Sequence, residues 1–294
     1  MSLLRNSRFM CATITLASCL ALPAVTQAQT TDSALERIKK NGEVVIGYRQ
    51  SSVPFSYLDQ SQKPVGYTID LCRAVVDTLK EKLQLPNLNI KMVAVDLSTA
   101  IPLLQNGSID MECGSMVHTL RRAAQVDFSF ATAASSDQLL VKSESPIHEI
   151  EDLANRAVAV PAGSTNAALV QSINASKKLN MRIVMVKDQA EGFLAVSTGR
   201  VDAYVTDNVI LYGLKQRATT PDAYRVTGRQ LSYLPYGIVV APNNSGLLSA
   251  INETLALSNQ SGRSEALYKQ WFGGIGMSFD DQAKAIYTLN SIPH

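Results

Sequence analysis

Arg49, Ser115, Arg122, Thr165 and Asp207 are the residues whose type and placement could do chemistry in this chain. Arg49 follows an apolar run, Val44–Gly47, and precedes Ser51-Ser52. A guanidinium fork at the end of a strand suits a carboxylate ligand, and a solvated surface arginine is the alternative. Ser115 follows the run Ile109–Cys113, where a free carbonyl or hydroxyl could meet an ammonium group. Arg121 and Arg122 come next, at the start of a short helix. One of them could hold a carboxylate, or both could be solvated helix charges. Pro161-Ala162-Gly163-Ser164-Thr165 turns into a helix whose free N–H groups, with the Thr165 hydroxyl, form an anion-binding end. Ser164 or Thr165 would equally serve as the cap of that helix. Asp207 follows Val201–Thr206 and could neutralise an ammonium or act as an N-cap.

Common catalytic motifs are missing. The chain has no GxSxG, HExxH, Walker A or GxGxxG pattern, and His118 and His148 have no Cys or His at metal-ligand spacing. No cofactor is expected. Lys+Arg is 27 and Asp+Glu is 25, with no basic block or basic-aromatic tract, so a nucleic-acid partner is not expected.

The elements that must position these residues alternate between strand and helix. Ser33–Lys40 reads as a short helix with capping-box spacing to Glu36 and Gly42 just past its end. Strands are predicted at Val44–Gly47, Ile90–Val95, Ile109–Cys113, Ala157–Val160, Arg182–Val186, Val201–Thr206 and Tyr236–Ala241. Helices are predicted at Tyr67–Leu83, Ser98–Gln105, Asn166–Lys178, Gln189–Ser197, from Asp207 to Lys215, near Leu247–Ser258 and at Arg263–Trp271. This alternation argues an α/β fold with mostly parallel sheets. Pro102–Asp110 and Phe193–Ala203 share one grammar of helix end, Gly, then a strand with an early Asp, consistent with two lobes of similar plan.

The first 28 residues read as a signal peptide. Arg5 and Arg8 precede a mostly apolar stretch, Phe9–Val25, and Thr26-Gln27-Ala28 fits a signal-peptidase site. Leu16-Ala17-Ser18-Cys19 has the form of a lipobox, but the apolar run continues directly after Cys19, so lipid anchoring is the lesser alternative. Cleavage after Ala28 leaves 25 basic and 25 acidic residues, and no later apolar run approaches the ~18–20 residues that span a bilayer. Cys72 and Cys113 then remain, either bridged or as two buried thiols.

Five stretches carry a resemblance: NGEVVIGYRQSSVPFSYLD (Asn41–Asp59), IPLLQNGSIDMECGS (Ile101–Ser115), VPAGST (Val160–Thr165), MRIVMVKD (Met181–Asp188) and QWFGG (Gln270–Gly274). From about Leu35 to Phe279 the chain resembles the periplasmic substrate-binding proteins of ABC transporters, most closely the glutamate/aspartate-binding branch of the amino-acid family. The resemblance implies a two-lobed, type II periplasmic binding protein fold with lobes joined by two hinge strands. Residues 29–132 and 232–294 would form lobe 1, and residues 133–231 lobe 2. It implies a monomeric, non-enzymatic periplasmic protein that captures an amino acid and delivers it to a membrane permease. An enzyme of the cyclohexadienyl dehydratase type, on the same fold, is the alternative. It would need a proton donor near a ring hydroxyl, and no acid stands at an evident position for that.

By the same resemblance, Arg122 would grip the ligand's α-carboxylate and Asp207 its α-ammonium. Ser115 and Thr165 would contribute polar contacts, and Arg49 would meet a side-chain carboxylate. Leu97, Ala100, Val117 and Gln189 stand where the branch has Ser, Arg, Thr and His, which removes donors for a second carboxylate. Gln189 both donates and accepts, so a polar neutral amino acid is expected to compete with glutamate and aspartate. GYTID (Gly66–Asp70) replaces a GYDxD-like stretch, and Ile238 replaces the branch's second Cys, so Cys113 is expected to be a reduced, buried thiol.

Overall fold

The structure, a computed structural model, describes residues 33–293. The expected signal segment and Cys19 lie outside the described residues. The chain opens with helix Ala34–Asn41, where Ser33 and Glu36 form the reciprocal capping box and Gly42 takes the left-handed conformation at the end.

Two five-stranded sheets share one plan. The first runs Asn89–Ala94, Glu43–Tyr48, Met111–Glu112, Val239–Val240, Asp127–Phe128; the second runs Arg182–Val186, Ala157–Pro161, Ala203–Asp207, Asp137–Lys142, Tyr224–Thr227. In each, only the fourth strand in that order is antiparallel to its neighbours. The reversed strands have a common origin. Ala133–Ser135 and Leu234–Tyr236 pair antiparallel between the sheets, and the chain enters each sheet through its reversed strand directly after this pair. The strand expected at Tyr236–Ala241 is therefore two elements. Tyr236 ends the crossover strand and Val239–Val240 joins the first sheet, with Gly237 between them, packed against the Ser129 carbonyl.

Helix Tyr67–Leu83 positions the first sheet's loops. Its buried face, including Ile69, Cys72, Val75, Val76 and Leu79, repeats every three to four residues. Gly66, at φ +133°, opens it, and a Cβ there would fall 2.3 Å from the Phe55 carbonyl oxygen. That close approach lets Tyr67 and Thr68 donate backbone hydrogen bonds to Pro54 and Phe55, holding the loop after Arg49 against the helix. One buried apolar cluster includes Val44, Ile46 and Met111 from the first sheet and Leu140, Ala159 and Tyr204 from the second. Gly213 lies so close to Val53 that a Cβ would fall 2.8 Å from the Val53 carbonyl oxygen, so the two halves touch there.

The expectation of a reduced Cys113 is wrong: Cys113 is bridged to Cys72, with Cα atoms 6.3 Å apart. Ile238 does adjoin Cys113, since Val239 is paired with Glu112, but it is an apolar core residue. The partner comes instead from the helix packed on the sheet, because Cys72 lies on the buried face of Tyr67–Leu83. The bridge spans 41 residues, a closure worth roughly 2–4 kcal/mol. Thiol counting on denatured, unreduced mature protein should give zero free thiols. Reduction should lower unfolding stability by about that amount; two free thiols in the unreduced sample would contradict the bridge.

Candidate functional site

Arg122 is held where the first sheet's loops meet the second half of the molecule. Thr119 caps the short helix Leu120–Ala123 by accepting a hydrogen bond from the Arg122 backbone N–H. Arg121 is exposed and Arg122 is buried. Arg122 Nη1 donates to the Val117 carbonyl at 2.9 Å, and Nη2 reaches the Gly163 carbonyl at 3.3 Å. Gly163 belongs to the turn into helix Thr165–Lys177, so the guanidinium bridges the two halves. Ser164, not Thr165, caps that helix. Thr165 is half-buried and lines a groove of about 500 Å³ together with Thr119, Arg122, Gly163 and Gln171. Ser115 is buried at the end of the neighbouring strand segment.

Asp207 ends strand Ala203–Asp207 and precedes helix Asn208–Arg217, yet its side chain makes no capping bond. It accepts instead from Asn166 Nδ2 at 2.7 Å and from the Tyr236 hydroxyl. Asp137 stands directly opposite in the antiparallel register, shares the Asn166 amide and accepts from Ser232. Burial, and next the neighbouring Asp137 charge, push the Asp207 carboxyl up to about 6. Burial likewise raises Asp137.

Arg49 and Glu112 form a second charged centre. Arg49 follows strand Glu43–Tyr48 and is anchored by its backbone N–H donating to Ser56 Oγ at 2.9 Å. Glu112 lies at the end of the adjacent strand, opposite Gly47. Both are almost wholly buried, at 2% and 0% exposure. Arg49 Nη1 and both Glu112 carboxylate oxygens have no hydrogen-bond partner among the described residues. Burial raises the Glu112 carboxyl to about 7, partly offset by Arg49, by the nearby Gly114 N–H, which falls short of hydrogen-bond geometry, and by Arg122. Burial lowers Arg49, opposed first by Glu112. A Cβ on Gly114 would fall 2.2 Å from Glu112 Oε1 and 2.5 Å from Arg49 Cγ, so only glycine lets the two side chains close over the loop.

Gln189 begins helix Gln189–Ser197, is buried, and accepts a hydrogen bond from the Tyr204 hydroxyl. Leu97 and Ala100 join an apolar cluster with Val95, Leu104, Ile109 and Met116. Val117 is buried and bridges to Tyr236. A second groove, lined by Arg49, Ser51, Asp96, Thr99, Lys187 and Asp188, opens beside Arg49. Neither groove reaches Asp207, which lies deeper, beside the crossover strands.

The structure thus places Arg122, Gly163 and Thr165 around one groove and Asp207 at the crossover, with Arg49 and Gln189 buried at strand and helix ends. Sequence reasoning missed Glu112, Asp137, Asn166 and Tyr204. Glu112 left a signal, the second acid of the alternating run Ile109-Asp110-Met111-Glu112-Cys113; Asp137 and Asn166 left none beyond their polarity.

Residues 44–274 match the family model of bacterial extracellular solute-binding proteins, family 3. The chain is 35% identical over 268 residues to the glutamate/aspartate import solute-binding protein of Salmonella typhimurium, covering 88% of this chain and 89% of that one. It is 31% identical to the ABC transporter glutamine-binding protein of Bacillus subtilis, covering 81% and 84%. Among solved structures, an ancestral arginine-binding protein bound to glutamine matches with a TM-score of 0.71 at 31% identity, covering 79% of this chain and 98% of that one.

The raised carboxyls give unliganded stability a definite pH dependence. With Glu112 near 7 and Asp207 near 6, the native chain binds more protons than the unfolded chain across about pH 4–7. Stability therefore falls as pH rises through that window. The melting temperature of ligand-free protein should be several degrees higher at pH 5 than at pH 7.5, and Glu112→Gln should remove much of the slope. A melting temperature that rises with pH over this range would contradict the assignment.

Proposed function

The chain belongs to the bacterial extracellular solute-binding proteins of family 3, and we propose that it captures one polar L-amino acid in the periplasm and hands it to the membrane permease of an ABC transporter. Membership makes it a binding protein, not an enzyme. Relatives named for glutamate/aspartate and for glutamine bracket the expected ligand class.

The observation that carries this reading is a pair of opposite buried charges contributed from the two sides. Arg122 comes from the first half and Asp207 from the second. A ligand α-carboxylate would accept from the Arg122 fork, with Ser115 and the Thr165 helix start adding donors. Its α-ammonium would donate to Asp207, which keeps unused lone pairs after bonding Asn166 and Tyr236. Closing the two sides excludes water and strengthens both contacts, so the ligand favours the closed arrangement. We take residues 29–132 with 232–294 as one lobe and 133–231 as the other. The crossover pair Ala133–Ser135 and Leu234–Tyr236 would then be the hinge.

A thermal-shift screen of the twenty amino acids, on protein refolded after ligand removal, should identify the ligand. Arg122→Ala should then raise its Kd by about thirtyfold or more, because a buried charged hydrogen-bonded pair costs roughly 2–5 kcal/mol to break. An unchanged Kd in calorimetric titration would overturn the role given to Arg122.

A further inference from the structure

We infer that Asp137 is a positioning residue for Asp207, and that the two acids hold one proton between them until the ligand's ammonium group displaces it, so that capture releases a proton. The inference rests on the amino-acid-binding reading above, which gives Asp207 to the ammonium, and adds to it a second acid and a pH dependence.

The geometry is a pair of carboxyl groups bound to one amide. Asp137 and Asp207 stand opposite each other in the antiparallel register and are 1% and 4% exposed. Asn166, itself buried at the start of helix Thr165–Lys177, donates from one nitrogen to both, to Asp207 Oδ1 at 2.7 Å and to Asp137 Oδ1. The remaining oxygens accept from hydroxyls, Asp207 Oδ2 from Tyr236 and Asp137 Oδ2 from Ser232. Asp137 is also tied through its backbone: its N–H donates to Ser232 Oγ at 3.0 Å and its carbonyl accepts from the Leu231 N–H. Asp137 follows crossover strand Ala133–Ser135, and Ser232 precedes crossover strand Leu234–Tyr236. One residue therefore joins both crossings to the acid at the ammonium end.

Two ionised carboxylates on one amide nitrogen repel each other in a dry site, and one proton on the pair relieves that repulsion. The groups facing them do not relieve it otherwise. The amide and the two hydroxyls are neutral, and burial holds the phenols of Tyr236 and of Tyr204, on the Asp207 strand, well above their usual range. Asn208, from the helix after Asp207, bonds to the Ser135 hydroxyl. Arg122 is the cation acting on Asp207, and its attraction is weaker than burial, the Asp137 charge or either hydrogen bond. An amino acid brings the missing cation, since its ammonium is charged at and below neutral pH. Set against Asp207, it favours the pair with both acids ionised; the O–H bond of the pair breaks and the proton passes to solvent. The Asp207 carboxyl titrates at about 6, so release is greatest below that pH and fades above it. Affinity therefore falls as pH falls.

Two measurements test this. In ligand-free protein, the rise in melting temperature from pH 7.5 to pH 5 should shrink in Asp137→Asn, which removes one charge of the pair. It should grow in Ser232→Ala, which removes a donor to the ionised acid. A merely structural defect lowers the melting temperature alike at both pH values; an unchanged rise in Asp137→Asn overturns the shared proton. Calorimetric titration at pH 5.5, in acetate and in MES, reads proton release from the difference in buffer ionisation heats. The probes are L-glutamine and L-glutamate, or, if neither binds, the amino acid with the largest thermal shift. Wild-type protein should release about three-quarters of a proton, and Kd should be about tenfold higher at pH 5 than at pH 7. Asp137→Asn should release less than half as much and lose most of that slope. Binding without release in the wild type overturns the inference and leaves the amino-acid reading standing, as does equal release in Asp137→Asn. If none of the twenty amino acids binds, both fail.

Discussion

Arg49, Glu112, Arg122, Asp137 and Asp207 are all carried out of water where two sheets end, and that burial of charge constrains everything around it. An ionised group in a dry site is costly unless it is paired or hydrogen-bonded. The protein meets part of that cost itself. Asn166 serves Asp137 and Asp207 together, Tyr236 and Ser232 serve one each, and Val117 and Gly163 give Arg122 two carbonyls. It leaves another part open at Arg49 and Glu112. On the proposed reading a zwitterion with a polar side chain would supply what is missing, so the groups that make the ligand-free site costly would make it selective.

Two sheets share one plan, and on the proposed reading each delivers one end of the clamp. In both, the parallel strands point their C-terminal ends toward the junction, where open α/β sheets bind ligands. The chain crosses between them twice, and each crossing strand runs straight into the reversed strand of the sheet it enters. Asp137 and Tyr236 sit at those crossings and touch the Asp207 network directly. If a ligand engages Asp207 as proposed, the change would reach the strands that join the two halves through these hydrogen bonds.

Much of this was legible in the sequence. Helix Tyr67–Leu83 was readable because its apolar residues recur every three to four positions, and Ser33 with Glu36 marked a helix start that the capping box confirms. The strand Arg182–Val186 fell where expected as a short apolar run, and the helix Gln189–Ser197 as a segment closed by Gly199. The short strands Asp127–Phe128, Ala133–Ser135 and Val239–Val240 were not legible, because two or three residues carry no period and their pairing is set by distant segments. The Cys72–Cys113 bridge was misjudged because the resemblance puts the partner of Cys113 at position 238, whereas the helix packed on the sheet carries Cys72 on its buried face. Among candidate site residues, composition could not separate Arg121 from Arg122; the structure does, exposing the first and burying the second. Glu112 escaped notice because, alternating with Asp110 in Ile109–Cys113, it reads as the polar face of a strand until Arg49 and Gly114 are seen around it.

The central claim is that one zwitterion is clamped by buried charges from opposite halves. A crystal structure of the protein with the amino acid that gives the largest thermal shift tests it most directly. The α-carboxylate should lie on the Arg122 guanidinium and the α-ammonium on Asp207, with the side chain directed to Arg49. An α-carboxylate bound away from Arg122, with Asp207 still engaged only by Asn166 and Tyr236, would contradict it.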